Sequence, residues 1–294
     1  MSPTDKFNQA NHNFKSIYYA GKQRERKNKP NKYKWLPDWT LNKSNYLLHE
    51  HDPQNRNKKV YKRGSIVNVD FGVNVGQELT GNHFAIILNK HDNSRNDKLT
   101  VIPLTSHEHP NTVKLDKTIL NLSLEEFIQA AVRLSTINYA LIYVLYTAAK
   151  KINPDTKTPY EQFLLNANKQ ETDEEKMVIQ GLADSLNKDI PDNDSAIATL
   201  KNYPPLTEHS DNILDYIINN NISNKIIHDV NLVSEAMNKY KSYNKETWAK
   251  ISDIQTVSKT RLIRINSADP IGKIKVSPSV LNTIDKEIRK QFTK

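Results

Sequence analysis

Two stretches of β-type sequence on either side of a long helical one set the tightest limit on how this chain can fold. Between Arg63 and Asp116 the apolar residues come in short runs, and Val67, Val69 and Phe71 alternate with Asn68 and Asp70, the period of a half-buried strand. Phe84 to Leu88 and Leu99 to Leu104 are more continuous, as central strands are. The connections NKHDNSRNDK and SHEHPNT are rich in Asn, Asp, Ser and Pro, which favour turns. β character returns at Trp248 to Val257, Leu262 to Ile265 and Gly272 to Val276. Either β-half alone would leave exposed sheet edges. The expected fold is therefore α+β: one small antiparallel β-barrel, 61–118 plus 245–294, interrupted by an all-α insertion, 119–244.

The insertion reads as helical from Leu122 to about Ser242. Ser123 with Glu126 has the spacing of a capping box, in which the hydroxyl accepts from a first-turn amide while the carboxylate reaches back to the cap amide. Leu124, Phe127, Ile128, Ala131 and Leu134 follow at helical spacing. Thr172 with Glu175 repeats the signal ahead of Met177, Ile179, Leu182 and Leu186, and Ile213 to Ile218 and Ile226 to Met237 are further amphipathic stretches. Pro154, Pro191, Pro204 and Pro205 punctuate them. Tyr139 to Ala149 is the longest apolar run; it falls well short of the roughly 20 residues that cross a bilayer and reads as a buried helix. Ser277 and Pro278 form a cap and first-turn pair for a closing helix with Val280, Leu281, Ile284 and Ile288 on one face.

Residues 1–60 form a basic, partly helical N-terminal extension with two apolar islands, Phe14 to Ala20 and Trp35 to Leu48. The run between them, GKQRERKNKPNKYK, holds seven basic residues and one acidic. Lys22, Arg24 and Arg26 within it are either RNA backbone contacts or part of a solvated linker. Lys plus Arg (42) exceed Asp plus Glu (33), giving a net charge of +9. A field of that sign attracts polyanions, so nucleic acid is the first partner to consider. The absence of cysteine excludes disulfides and thiolate metal sites and fits a reducing cytoplasm. The polar start MSPTDKFNQANHNF has no apolar core of a secretory signal, and no membrane association is expected.

Arg63 to Ser106 resembles the N-terminal half of PemK/MazF toxins. Its Arg63-Gly64 pair precedes a first strand, Gly76-Gln77-Glu78 matches a Gly-x-Glu loop, Gly81-Asn82-His83-Phe84 matches a Gly-x-Arg-Pro turn, and Pro103-Leu104-Thr105-Ser106 ends the last strand. Ala249 to Leu262 is similar to the later family strand, and the closing helix matches in position. The resemblance implies an SH3-like barrel, a homodimer, a cognate antitoxin in a separate chain, an RNA substrate, and cleavage without metal or cofactor. His83 stands where the family turn usually carries an Arg that contacts the scissile phosphate. Lys250 and Ser252 stand where one branch of the family places a catalytic Arg and Asp.

Metal-free RNA cleavage uses the 2′-hydroxyl as nucleophile, so a proton must be taken, another given to the leaving oxygen, and charge on phosphorus stabilised. His83 suits proton transfer, and Thr105 can donate to a phosphate oxygen. These two are the expected catalytic residues. Lys250 can supply a charge, while Glu78 or Asp253 can orient His83 or act as base; Ser252 and Ser106 complete the candidate set. Arg63, Gln77 and Asn82 are expected to contact RNA. Structural roles compete with each assignment, most strongly for Lys250 and Glu78. His107-Glu108-His109, with His91, lacks the spacing of a metal site. Two other functions remain open: a catalytically silent RNA-binding or regulatory barrel, and a gyrase inhibitor like CcdB, although the tail Arg289 to Lys294 carries no matching signal.

Overall fold

The computed structural model describes all of residues 1–294 except 29–30, 51–57, 171, 209–212 and 294, together with the side chain of residue 218. Parts of the basic run, of the stretch 213–218 and of the C-terminal tail thus lie outside the described residues. Contacts divide the chain into two units, 1–124 with 239–294, and 125–238.

The first unit is built on antiparallel strands: β1 (Ile66–Asp70), β2 (Asn82–Ile87), β3 (Lys98–Thr105), β4 (Thr112–Lys114), β5 (Trp248–Lys250), β6 (Gln255–Ser258) and β7 (Leu262–Ile263). They follow the order β4-β5-β3-β2-β1-β7, with β6 also on β3. β3 serves two late strands along one edge. Leu99 faces Val257 and Val101 faces Gln255 on β6, while Leu104 faces Ala249 and Thr105 faces Trp248 on β5. A 3-10 turn, Ile251–Asp253, carries the chain from one partner to the next, so the stretch expected as continuous β is two short strands. The result is a mixed α+β fold with a barrel-type antiparallel sheet.

Val67, Val69 and Phe71 pack with Ala85, Ile87, Leu99, Val101 and Val257 in one cluster. Ile66, Ile86 and Ile102, of the opposite parity, are also fully buried, and burying a side chain of this size stabilises by about 1.5–3 kcal/mol. The expected strand 272–276 is instead irregular, with one bridge between Ser65 and Lys275. Gly64 and Gly272 there have φ of +80° and +78°, which breaks the repeating extended backbone a strand needs. The closing helix, α10 (Pro278–Phe292), starts as expected, with the Ser277 hydroxyl accepting from the Val280 amide at 3.3 Å.

The N-terminal helices α1 (Pro3–Glu25) and α2 (Leu36–Leu48), joined through a 3-10 turn at Lys32–Trp35, belong to the same unit. Asp70, 5% exposed at the end of β1, pins α2. Its carboxylate accepts from Asn42 at 3.3 Å, Tyr46 at 3.2 Å and the Gly72 amide at 3.0 Å. Burial first, and then the neighbouring Asp70 charge, push the Tyr46 phenol up to about 12. Trp39 covers Gly72, whose φ is +76° and where an added Cβ would run into the indole. Asp92, on the connection from β2 to β3, and Lys259, in the turn between β6 and β7, form a 2.8 Å ion pair with side chains 0% and 3% accessible.

The second unit is helical: most of α3 (Ile119–Lys150), then α4 (Pro159–Ala167), α5 (Asp173–Asp189), α6 (Asn193–Lys201), α7 (Pro204–Thr207), α8 (Ile213–Asn219) and most of α9 (Ile222–Lys241). Thr172 and Glu175 form the expected capping box, with amide-to-side-chain bonds of 3.2 Å in both directions. Ser123 does not cap. α3 begins at Ile119 and runs through it, and the buried Ser123 hydroxyl donates to the Leu120 carbonyl at 2.7 Å, a local bond that lets serine sit inside a helix. By length and composition α3 as a whole is apolar enough to cross a membrane. Its Ile137, Tyr139, Ala140, Leu141 and Val144 are nevertheless packed with Leu186, Leu200, Leu206, Ile222 and Ile226 in the core of this unit.

Candidate functional site

A cleft of about 670 Å³ opens in the first unit where β2 begins, β3 ends and the chain leaves β7. Asn82 and His83 start β2, and Thr105 ends β3 with Ser106 and His107 just beyond. The register of β7 on β1, Asn68 opposite Ile263, delivers the next residue, Arg264, to the same cleft. Lys239 from the last turn of α9 and Lys245 from the loop before β5 complete a cationic wall. All three cations are exposed.

Arg264 is held rigidly: Nη2 donates to the carbonyls of Asp269 and Ile271 at 3.1 and 3.2 Å. Asp269, 3% exposed, fixes the loop behind it by accepting from the Tyr240 hydroxyl at 2.7 Å and from the amides of Ile265 and Ile271 at 2.8 and 3.0 Å. Burial, followed by the Asp269 charge, pushes the Tyr240 phenol far above its ordinary value, so it stays a donor. Phe84 meets Tyr243 edge-on at 4.8 Å and gives the cleft an aromatic side.

The two imidazoles of the cleft are held differently. Nδ1 of half-buried His83 lies 3.3 Å from the Leu104 carbonyl and Nε2 lies 3.1 Å from the Thr80 carbonyl. A neutral ring carries one N–H and can donate to only one of them, so proton exchange with a substrate requires His83 to give up a protein bond. His107 is exposed, its Nδ1 is 3.3 Å from the Ser106 hydroxyl, and its amide donates to Thr105 Oγ1 at 3.2 Å. Its Nε2 has no hydrogen-bond partner among the described residues. Imidazoles, hydroxyls and cations facing one space can move protons and neutralise a phosphate.

Of the residues singled out in the sequence, His83, Thr105, Ser106 and Asn82 share this cleft. Lys250, Ser252 and Asp253 form a cluster of their own at the turn after β5, where Asp253 pairs with Lys250 at 2.8 Å and accepts from Ser252 at 2.9 Å. Arg63 donates to the Leu88 carbonyl and to Asp285, which fastens α10. Gln77 and Glu78 are exposed in the β1–β2 connection, and Lys22, Arg24 and Arg26 are exposed at the end of α1; none of these lines the cleft. Sequence reasoning missed Arg264, Lys239 and Lys245, whose convergence depends on long-range register. It weighed His107 only as a metal ligand, and its one available signal was its place directly after the Thr105-Ser106 match. Among the described residues no group of three or more His, Asp or Glu is arranged to hold a metal ion.

Residues 62–171 match the family of PemK-like, MazF-like toxins of type II toxin–antitoxin systems. The matched span holds β1 to β4, α3 and α4, and therefore both imidazoles of the cleft. A comparison with curated proteins finds no match. Toxins of this family are generally endoribonucleases, with an RNA target and an antitoxin partner. Over this span the chain is similar to the PemK-like, MazF-like toxins of type II toxin–antitoxin systems.

Proposed function

We propose that this chain is a cytoplasmic toxin that cuts single-stranded RNA in the cleft between β2, β3 and Arg264, without a metal or cofactor. The observation that carries the reading is the convergence of His83, His107, Thr105, Arg264, Lys239 and Lys245 on one space. In this reading a base takes the proton of a ribose 2′-hydroxyl as its oxygen bonds to the adjacent phosphorus. The bond from phosphorus to the 5′-oxygen breaks, and an acid protonates the departing oxygen. The products are a 2′,3′-cyclic phosphate and a 5′-hydroxyl. His107, with Nε2 open, is the group best suited to meet the substrate, and His83 is its partner after exchanging one carbonyl bond. Arg264, already fixed, stabilises charge on the phosphate without reorganising. The antitoxin of such a system would be a separate chain, and the toxin would act as a homodimer, which light scattering at micromolar concentration would show.

A silent RNA-binding barrel is the second reading, favoured by the protein carbonyls that face both His83 nitrogens. Incubation of the purified protein with a long RNA in EDTA separates the two. Cleavage into products with cyclic-phosphate ends supports the first; binding without cuts, or cutting that needs a divalent ion, overturns it.

A further inference from the structure

A second cleft, of about 470 Å³, lies between α2 and the β1–β2 connection, and it shares Asn82 and His83 with the first. Its chemistry is the opposite. The first is lined by Arg264, Lys239 and Lys245, whereas the second is lined by Trp35, Trp39, Asp38, Asn42 and Asp70 and by no lysine or arginine. Two carboxylates repel a phosphate, and a half-exposed indole attracts a flat ring. We propose that this cleft is a nucleobase subsite for the RNA strand that passes His83, with Trp35 as the stacking platform and Asp38 as the reader of the base edge. The proposal rests on the RNA-cleaving reading of the neighbouring cleft and deepens it by assigning a base preference.

The residues of the second cleft divide into frame and contact. Trp39 is committed, lying over Gly72 with the Arg261 guanidinium 5.1 Å from its ring centre. Asp70 is committed too, with both oxygens taken by Gly72, Asn42 and Tyr46. Trp35 is 52% exposed. Asp38 is exposed, and its carboxylate has no hydrogen-bond or ion-pair partner among the described residues. An ionised carboxylate only accepts, so it selects a base edge with adjacent N–H donors. Guanine presents two, N1–H and the 2-amino group. Uracil presents one donor between two carbonyls, and adenine and cytosine set their amino group beside an acceptor, so the site takes guanine.

The test uses the full chain and end-labelled 2′-O-methyl oligonucleotides, which cannot be cut, each carrying one G, A, C or U in an otherwise constant single strand. The wild type is expected to bind the G oligonucleotide most tightly. Trp35→Ala should weaken binding by about 5- to 100-fold, the usual loss of one stacked base. Asp38→Asn, a surface change that leaves folding intact, should remove the preference for G while retaining affinity for the others. Wild-type affinity and base preference in both variants would overturn the subsite. If the wild type binds with a G preference but leaves the matching unmodified RNA whole, the cleavage reading fails and the subsite stands. If it cuts that RNA and both variants cut the same bonds equally well, the subsite fails and the cleavage reading stands.

Discussion

Each His83 ring nitrogen faces a protein carbonyl, and His107 offers an open Nε2, so their alanine variants should separate. His107→Ala should lower kcat/KM for RNA by about 10²–10⁴ with the melting temperature unchanged, and an unchanged rate would remove His107 from proton transfer. His83→Ala should lower both rate and stability, the latter by about 1–3 kcal/mol for the carbonyl left without its donor; chemical denaturation measures it. Elsewhere in the unit, burial opposes the Asp92 charge, but hydrogen bonds from Lys259, the Tyr61 amide and Asn96 outweigh it and hold its pKa below the ordinary 3.8. Because the folded value is depressed, the contribution of Asp92 is complete above the unfolded value and is lost as pH falls through the folded one. Asp92→Asn should therefore cost about 3–5 kcal/mol at neutral pH, as broken buried pairs do, and the gap to wild type should narrow below pH 3.8 in urea titrations. His83 and Thr105 were legible as candidates because a local motif contains them. Lys250 and Arg63 were legible only as charges, and the partners that engage them, Asp253 three residues on and Asp285 on the last helix, appear only with the fold.

α2 is held on the end of β1 by one carboxylate and one glycine. Gly72→Ala would place a side chain at φ +76° and against Trp39, so it should dislodge α2 while leaving β1 to β3 paired. The expected cost is about 1–3 kcal/mol, with faster proteolysis confined to 36–48; unchanged protection of that segment would contradict the assigned packing. Elements with short-range grammar were readable in advance. The Val67, Val69, Phe71 alternation became β1 and the residue beyond it, and the Thr172 and Ser277 caps sit where their spacing put them. Ser123 failed as a cap because apolar Ile119 and Leu122 extend the helix backwards, a preference stronger than a single hydroxyl. The 272–276 stretch failed as a strand because its backbone bonds go to Gly64 and Ile66 through two left-handed glycines, which alternation cannot reveal.

At the scale of the molecule, the helical unit has its own core, with Tyr139, Leu141, Leu186, Leu200, Leu206 and Ile222 all 2% exposed or less. Residues 125–238 expressed alone should be helical by circular dichroism and unfold cooperatively; a non-cooperative loss of signal on heating would show that they need the rest of the chain. The strand–helix–strand order was visible in the sequence, but the inclusion of α1 and α2 in the barrel unit was not, since it depends on Asp70 and Gly72 meeting residues far away in sequence. The central claim is that the His83/His107 cleft cuts RNA by using the 2′-hydroxyl of its own substrate. Once a cut bond has been mapped in a wild-type digest, the same oligonucleotide can be resynthesised with a single 2′-deoxy sugar on the 5′ side of that bond. The account predicts that this bond then resists the protein in EDTA while neighbouring susceptible bonds are still cut. Cleavage of the deoxy-substituted bond at the original rate would contradict it.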